Sequence, residues 1–325
     1  ELDLWGNLRW ARDHSTAGFL ASVENCRAVK MGLVAQVAQS YFELMALDNE
    51  LAIVRRTLEA RREGVRLAEI RFKGGLTSEI VFQQAKVELA KTATMVPDLE
   101  RRISLKESEI ALLTGDFPYA VNRNVLPEEI QLPDALPLGL PSTLQERRPD
   151  IRKAERELMA AHAEVGLAYT NMFPRLALTA TLGAESETLR DLLKSPYSYL
   201  AGNLLSPLFA MGKNRAALKA KRAAYEGAVA EYEKTVLTAF KETHNAIINF
   251  NKIKDIYESR RQLAEASRTA VELAQLQYIN GVIGYLDLLD AQRNYFDAQV
   301  SLSNAVCDKQ LMIINLYKAL GGGWK

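Results

Sequence analysis

The chain has 325 residues, 41 of them basic and 40 acidic, for a formal net charge of +1. That balance argues against a nucleic-acid grip, which needs a basic patch to neutralise phosphates. No run of ~18 apolar residues occurs, which excludes a transmembrane helix but not the short, alternating strands of a membrane barrel.

The front segment, Glu1-Leu2-Asp3-Leu4-Trp5, has no Met start and no basic-then-apolar leader, and it reads as a fragment or a processed product. From about Trp10 to Lys73 there is no proline. Val37, Leu44, Leu51, Leu58, Val65 and Phe72 recur seven apart, and a second seam adds Leu47, Val54 and Ala68, with Arg61 interrupting it. Alternating steps of three and four are the coiled-coil pattern. Roughly 64 residues of helix at ~1.5 Å each would span about 95 Å, the length of a rod or a tube wall.

Lys73-Gly74-Gly75-Leu76-Thr77-Ser78-Glu79 predicts a turn. Glycine supplies the left-handed helix end, and Thr77 or Ser78 can cap the next helix. A return helix is expected over 79–113, kinked or broken at Pro97 and ended by Gly115. Pro118, Pro127, Pro133, Pro137, Pro141 and Pro149 then forbid long helices and mark an irregular connector. A helix follows from Pro149-Asp150 to about Asn171. Leu176, Leu178, Ala180 and Leu182 alternate with smaller or polar residues, and 197–205 reads as a second strand ended by Pro207. Tyr197 and Tyr199 suit either a membrane-interface girdle or an ordinary soluble hairpin. A second long helix begins near Gly212, turns at 280–284 and returns to Leu320. Its seam is Phe250, Tyr257, Ala264, Val271 and Tyr278.

The second long helix repeats the first at a constant shift of 206 residues, which relates Gly6 to Gly212, Arg55 to Arg261, Gly75 to Gly281, Ala85 to Ala291 and Gly115 to Gly321. Glu59-Ala60-Arg61-Arg62 returns as Glu265-Ala266-Ser267-Arg268. This is a duplicated helical unit, much longer than a solenoid repeat.

The residues offer no catalytic constellation. His14, His162 and His244 are scattered, with no HExxH, no Glu-x-x-His pair, no G-x-S-x-G and no P-loop. They are expected to be surface or packing residues, and no metal, cofactor or catalytic residue is expected. Cys26 and Cys307 form neither a CxxC nor a disulfide framework and read as small apolar helix residues. Asp287 and Asp290 stand out. They lie three apart just past the second turn, on one helix face. Duplication does not explain them, because their counterparts are Val81 and Gln84. A solvated acidic face or a cap in the first helical turn accounts for them as readily as a site does.

The segment Leu140-Pro141-Ser142-Thr143-Leu144-Gln145-Glu146-Arg147-Arg148-Pro149-Asp150-Ile151, followed by Ala154-Glu155, Ala160-Ala161, Gly166 and Phe173-Pro174, resembles the central signature of outer-membrane efflux proteins. These are the TolC-like exit ducts of tripartite pumps, and the likeness is strongest to their lipoprotein branch serving resistance–nodulation–division pumps. It extends from Leu2-Asp3-Leu4-Trp5-Gly6 to Leu289-Asp290-Ala291-Gln292.

The resemblance implies a mainly α fold. Long antiparallel coiled-coil helices would form a periplasmic α-barrel, and short hairpin strands would contribute to an oligomeric outer-membrane β-barrel. It implies a homotrimer, contact with outer-membrane lipid, a periplasmic adaptor and an inner-membrane pump as partners, and passive export of small molecules. The parts would be a first helical repeat over 1–115, lacking its leading helix and hairpin, and a Pro-rich connector over 116–148. A helix over 149–172, a β-hairpin over 173–209 and a second repeat over 210–325 would follow. Such N-terminal truncation would leave two complete strands per subunit, with sheet edges that lipid does not tolerate.

In this family the positions of Asp287 and Asp290 face the lumen at the periplasmic constriction, and three subunits would give a carboxylate ring that favours cations. The resemblance also makes Tyr278 part of a closed-state latch, although Tyr278 falls on the heptad seam as well. Ile283 stands where the family has the latch's basic residue. Gly75, Ser78, Gly281 and Gly284 match the adaptor-docking tips, where small residues admit a partner helix and also simply make turns. The rivals are a soluble coiled-coil scaffold, a non-functional fragment of such a channel, and a helical-bundle metalloenzyme. A scaffold gives no reason for alternating strands between the two helical repeats.

Overall fold

A helix with a narrow apolar stripe must return on itself to bury that stripe, and this chain does so twice in the same register. In the computed structural model, which describes residues 1–123, 146–185, 196–207 and 209–322, helix α1 (Asn7–Lys73) turns into α2 (Glu79–Thr114). Helix α4 (Met211–Ile279) turns into α5 (Tyr285–Ala319). Between them lie α3 (Pro149–Thr170), β1 (Arg175–Ala184) and β2 (Pro196–Leu205). Most of the connector, with Pro127, Pro133, Pro137 and Pro141, lies outside the described residues, as do Leu140 to Gln145 of the signature and most of the loop between the strands.

The two helical turns are the same object 206 residues apart. Leu76 N–H donates to Arg71 O at 2.8 Å and Gly75 N–H to Phe72 O at 2.9 Å. In the second copy Val282 N–H donates to Gln277 O at 2.8 Å and Gly281 N–H to Tyr278 O at 3.1 Å. This crossed pair is the Schellman ending, which needs a left-handed residue after the helix. Gly75 and Gly281 supply it, with φ of +72° and +74°. Ser78 occupies the N-cap of α2, but its side chain makes no capping hydrogen bond. Pro97 does not break α2, which runs through it.

The chain forms two compact units. In the first, Glu1–Val29 with Leu140–Phe240, α3 packs on the starts of α1 and α4. Asn7 Nδ2 donates to Thr170 Oγ1 at 2.9 Å, Lys221 pairs with Glu164 at 2.7 Å, and Arg152 reaches the buried Glu24 at 2.8 Å. The Arg-Arg-Pro-Asp run starts α3. Pro149 sits in its first turn, and the buried Arg148 forks onto Asp150 with bonds of 3.0 and 2.6 Å. Burial pushes the Asp150 carboxyl up, but the Arg148 hydrogen bond and charge outweigh it and hold it below its ordinary value.

Strands β1 and β2 form an antiparallel hairpin pairing Arg175 with Leu205 and Ala184 with Pro196. Leu2 adds a bridge to the edge, its N–H donating to Leu176 O at 2.8 Å. Cross-strand partners share a face. One face therefore carries Leu176, Leu178, Ala180, Leu182, Leu200 and Leu204. The other carries Arg175, Thr179, Thr181, Tyr197, Tyr199, Asn203 and Leu205. The register thus places Tyr197 and Tyr199 together on the face opposite Leu176, Leu178 and Leu182.

In the second unit, Lys30–Gly139 with Lys241–Lys325, the predicted seam is the core. Leu44, Leu47, Leu51 and Val54 of α1 pack with Leu99, Ile103 and Ile110 of α2. Phe72, at the seam's end, is exposed. Cys307 is half-buried and pushed by that burial to about 11. Cys26, expected as a packing residue, is exposed.

A Cβ on Gly183 would lie 2.7 Å from the Tyr197 ring, so the ring occupies the space a side chain would need. Gly183→Leu should reduce the yield of folded, heat-modifiable protein in outer membranes. Combining it with Tyr197→Ser should restore that yield.

Candidate functional site

The predicted gate and docking residues gather at the two helical turns of the second unit, whereas Tyr197 and Tyr199 lie on β2 of the first. Ala68, Ala85, Ala274, Tyr278, Tyr285, Leu288 and Leu289 form one buried cluster beneath both turns, with Ile283 packed against it. Gly75, Ser78, Gly281 and Gly284 are all exposed at the tips. Ile80, Val87, Leu286 and Leu289 line a groove of about 520 Å³ between α2 and α5, with Glu88 and Arg293 also on its wall.

Tyr278 is a core residue, 4% exposed, with its ring edge-on to Tyr285 at 5.8 Å. Its cationic partner comes from the other repeat. The Arg71 guanidinium sits over the ring at 4.8 Å and reaches the Tyr278 carbonyl at 3.5 Å. Burial raises the Tyr278 phenol above its ordinary value, and the Arg71 charge opposes this. Arg71 thus stands beside Tyr278 where the sequence offered only Ile283.

Asp287 and Asp290 are exposed on α5. Asp287 is in the first turn of the helix, and its carboxylate accepts the Gly284 N–H at 3.0 Å. It therefore satisfies one orphan donor of the helix start. Asp290 makes no hydrogen bond of this kind and contributes a favourable field at Arg293.

A buried charge cluster sits a turn further along α5. Arg61 and Glu88 are 7% and 6% exposed, with their charged groups 3.7 Å apart. Arg61 also donates to Gln292 Oε1 at 3.2 Å, and Arg293 pairs with Glu88. The Arg293 hydrogen bond holds the Glu88 carboxyl below its usual value against the pull of burial. Burial lowers the Arg61 guanidinium, opposed by the Glu88 charge. The sequence carried a sign of this cluster, an arginine inside an apolar seam, but no sign of its partners. Glu88, Gln292 and Arg293 read as ordinary helix-surface residues until the helices are packed.

Two helical hairpins with the same turn geometry, with a helix and a β-hairpin between them in the chain, make up the described fold. The family model described as outer membrane efflux protein matches residues 1–116 and 140–322. Outer membrane protein OprJ of Pseudomonas aeruginosa is 35% identical over the whole chain and 68% of its own length. The solvent efflux pump outer membrane protein SrpC of Pseudomonas putida is 34% identical over the whole chain and 69% of its own. The crystal structure of a membrane protein from Pseudomonas aeruginosa superposes with a TM-score of 0.91 at 33% identity, covering all of this chain and 73% of that one. The chain belongs to the outer membrane efflux protein family, and it is an outer-membrane efflux channel component.

Removing one partner of a buried ion pair costs about 3–5 kcal/mol. Because the Glu88 pKa is depressed, its contribution to stability is complete above its unfolded value and disappears as pH falls through the folded one. The thermal midpoint of the wild type should therefore drop in acid below the ordinary glutamate range. Glu88→Gln should start lower and fall less over the same range, as read by circular dichroism.

Proposed function

We propose that this chain is the wall segment of a trimeric exit duct that passes small molecules from a periplasmic adaptor and an inner-membrane pump to the outside. The observation that carries this reading is the repeated hairpin, turning at Gly75 and Gly281 with one hydrogen-bond pattern. Two quasi-equivalent hairpins per subunit give three subunits six similar staves, a natural way to close a tube. The duct performs no chemistry; it binds weakly and releases.

Ten-residue strands match the ~9–11 residues that cross an outer membrane. In this reading the leucine face meets lipid. Tyr197 and Tyr199, on the opposite face, turn toward the lumen rather than forming a lipid girdle. Support comes from the strand register, because lipid-facing and lumen-facing positions alternate.

The gate lies at the second tip. Asp287 and Asp290 are exposed and on one face, so three copies would form a carboxylate ring. Asp287 serves as both helix cap and ring member. Tyr278, held by Arg71, ties the second tip to the first and makes a latch between repeats. In planar bilayers, the full-length protein carrying Asp287→Asn and Asp290→Asn should conduct more and prefer cations less. Asparagine keeps an oxygen for the Gly284 cap, so the helix start is preserved. Unchanged conductance and selectivity would remove both residues from the gate.

Gly75, Ser78, Gly281 and Gly284 frame the adaptor-docking surface beside the groove of Ile80, Val87 and Leu286. Gly75 and Gly281 are poor probes of docking, because any side chain strains their positive φ. Ser78 has φ −75° and is exposed, so it tests docking alone. Ser78→Trp should abolish crosslinking to the adaptor while trimers persist on native electrophoresis. Full crosslinking would place docking elsewhere.

A further inference from the structure

The apolar seam of α1 is interrupted once by a buried charge, and that charge belongs to a cluster spanning three helices. Arg61 comes from α1, Glu88 from α2, and Gln292 with Arg293 from α5. Packing alone does not call for it, since well-packed apolar residues usually replace a buried ion pair without loss. A heptad seam, however, tolerates sliding and rotation, and a buried polar contact fixes one register. The cluster is not a by-product of duplication either. At the 206-residue shift Arg61 becomes Ser267 and Glu88 becomes Asn294, while Gln292 and Arg293 correspond to Lys86 and Val87. Among the described residues the duplication therefore gives this cluster no counterpart.

Its position matters for the tip. Arg293 follows Asp290 by three residues, less than one helical turn. The stretch of α5 carrying Asp287 and Asp290 is thus held to α1 and α2 at its C-terminal end, where Gln292 and Arg293 reach the buried Arg61 and Glu88. Glu88 is shielded from water, so losing Arg293 would leave its carboxylate with Arg61 as its cationic neighbour.

We propose that the Arg61–Glu88–Arg293 cluster is a clamp that holds the start of α5 against α1 and α2 and so sets how readily the second tip opens. Arg61, Glu88 and Arg293 are positioning residues: they act on the lumen through the placement of the start of α5. The inference rests on the reading of that tip as the gate.

The test compares full-length wild type, Glu88→Gln and Arg293→Lys in planar bilayers, with trimers counted on native electrophoresis. The clamp predicts severalfold higher single-channel conductance for Glu88→Gln with trimers intact, and conductance near wild type for Arg293→Lys, which keeps the charge. A lower melting temperature with wild-type conductance would mean a merely structural cluster and would overturn the clamp. Should Glu88→Gln fail to assemble, Arg293→Gln replaces it, because Arg61 still neutralises Glu88; wild-type conductance there overturns the clamp equally. The two readings fail separately. If Glu88→Gln opens the channel while the double asparagine variant changes nothing, the clamp stands and the carboxylate ring falls. The opposite pattern removes the clamp and leaves the ring.

Discussion

Everything in this molecule follows from helices far longer than a globular core can cover. A helix of 67 residues has an apolar stripe that only another long helix can bury. The antiparallel return after a tight turn satisfies that need locally. Leu44 and Val54, both fully buried, meet Leu99 and Ile103 of the returning helix. The Schellman turns then matter more than their size suggests. They set the phase with which the stripe of the outgoing helix meets the stripe of the return.

The apolar seam alone leaves freedom to slide, and charged groups inside the packing remove it. Glu24 is buried yet reached by Arg27 and Arg152. Arg148 is buried and forks onto Asp150 at the start of α3. Arg61 and Glu88 pair between α1 and α2, and Arg293 of the second repeat joins them at Glu88. Each pair costs desolvation that geometry must offset. What they add over leucine is direction, because a guanidinium meets a carboxylate in few orientations.

The surface is as informative as the interior. Phe19, Leu237 and Leu263 are exposed large apolar residues on long helices, and the strands expose Leu182, Leu200 and Leu204. Exposed apolar surface on this scale marks interaction with a partner or a membrane. The two-stranded sheet, with Leu2 bridging one edge, also leaves hydrogen-bonding groups that a hydrocarbon environment would require to be paired.

Much of this was legible in the sequence. Spacing of Leu44, Leu51 and Leu58 gave the helices, Gly75 and Gly281 gave the turns, and alternation around Leu178 gave the hairpin. Each is a local signal, set by backbone preference or by side-chain period. Of the two outcomes Pro97 allowed, a break does not occur, and α2 runs through it with Leu99 and Ile103 in the core. The face that Tyr197 and Tyr199 share was not legible for another reason: it depends on pairing with a strand across the hairpin, and register is a property of two segments. The Arg71–Tyr278 stack joins residues 207 apart. The Glu88 cluster joins three helices. Sequence by itself determined where the chain would be helical, where it would turn and that it was doubled, because those depend on neighbours along the chain. Only the tertiary structure decided which charges would be buried together, because desolvation is imposed by the elements that close over a residue and not by the residue itself.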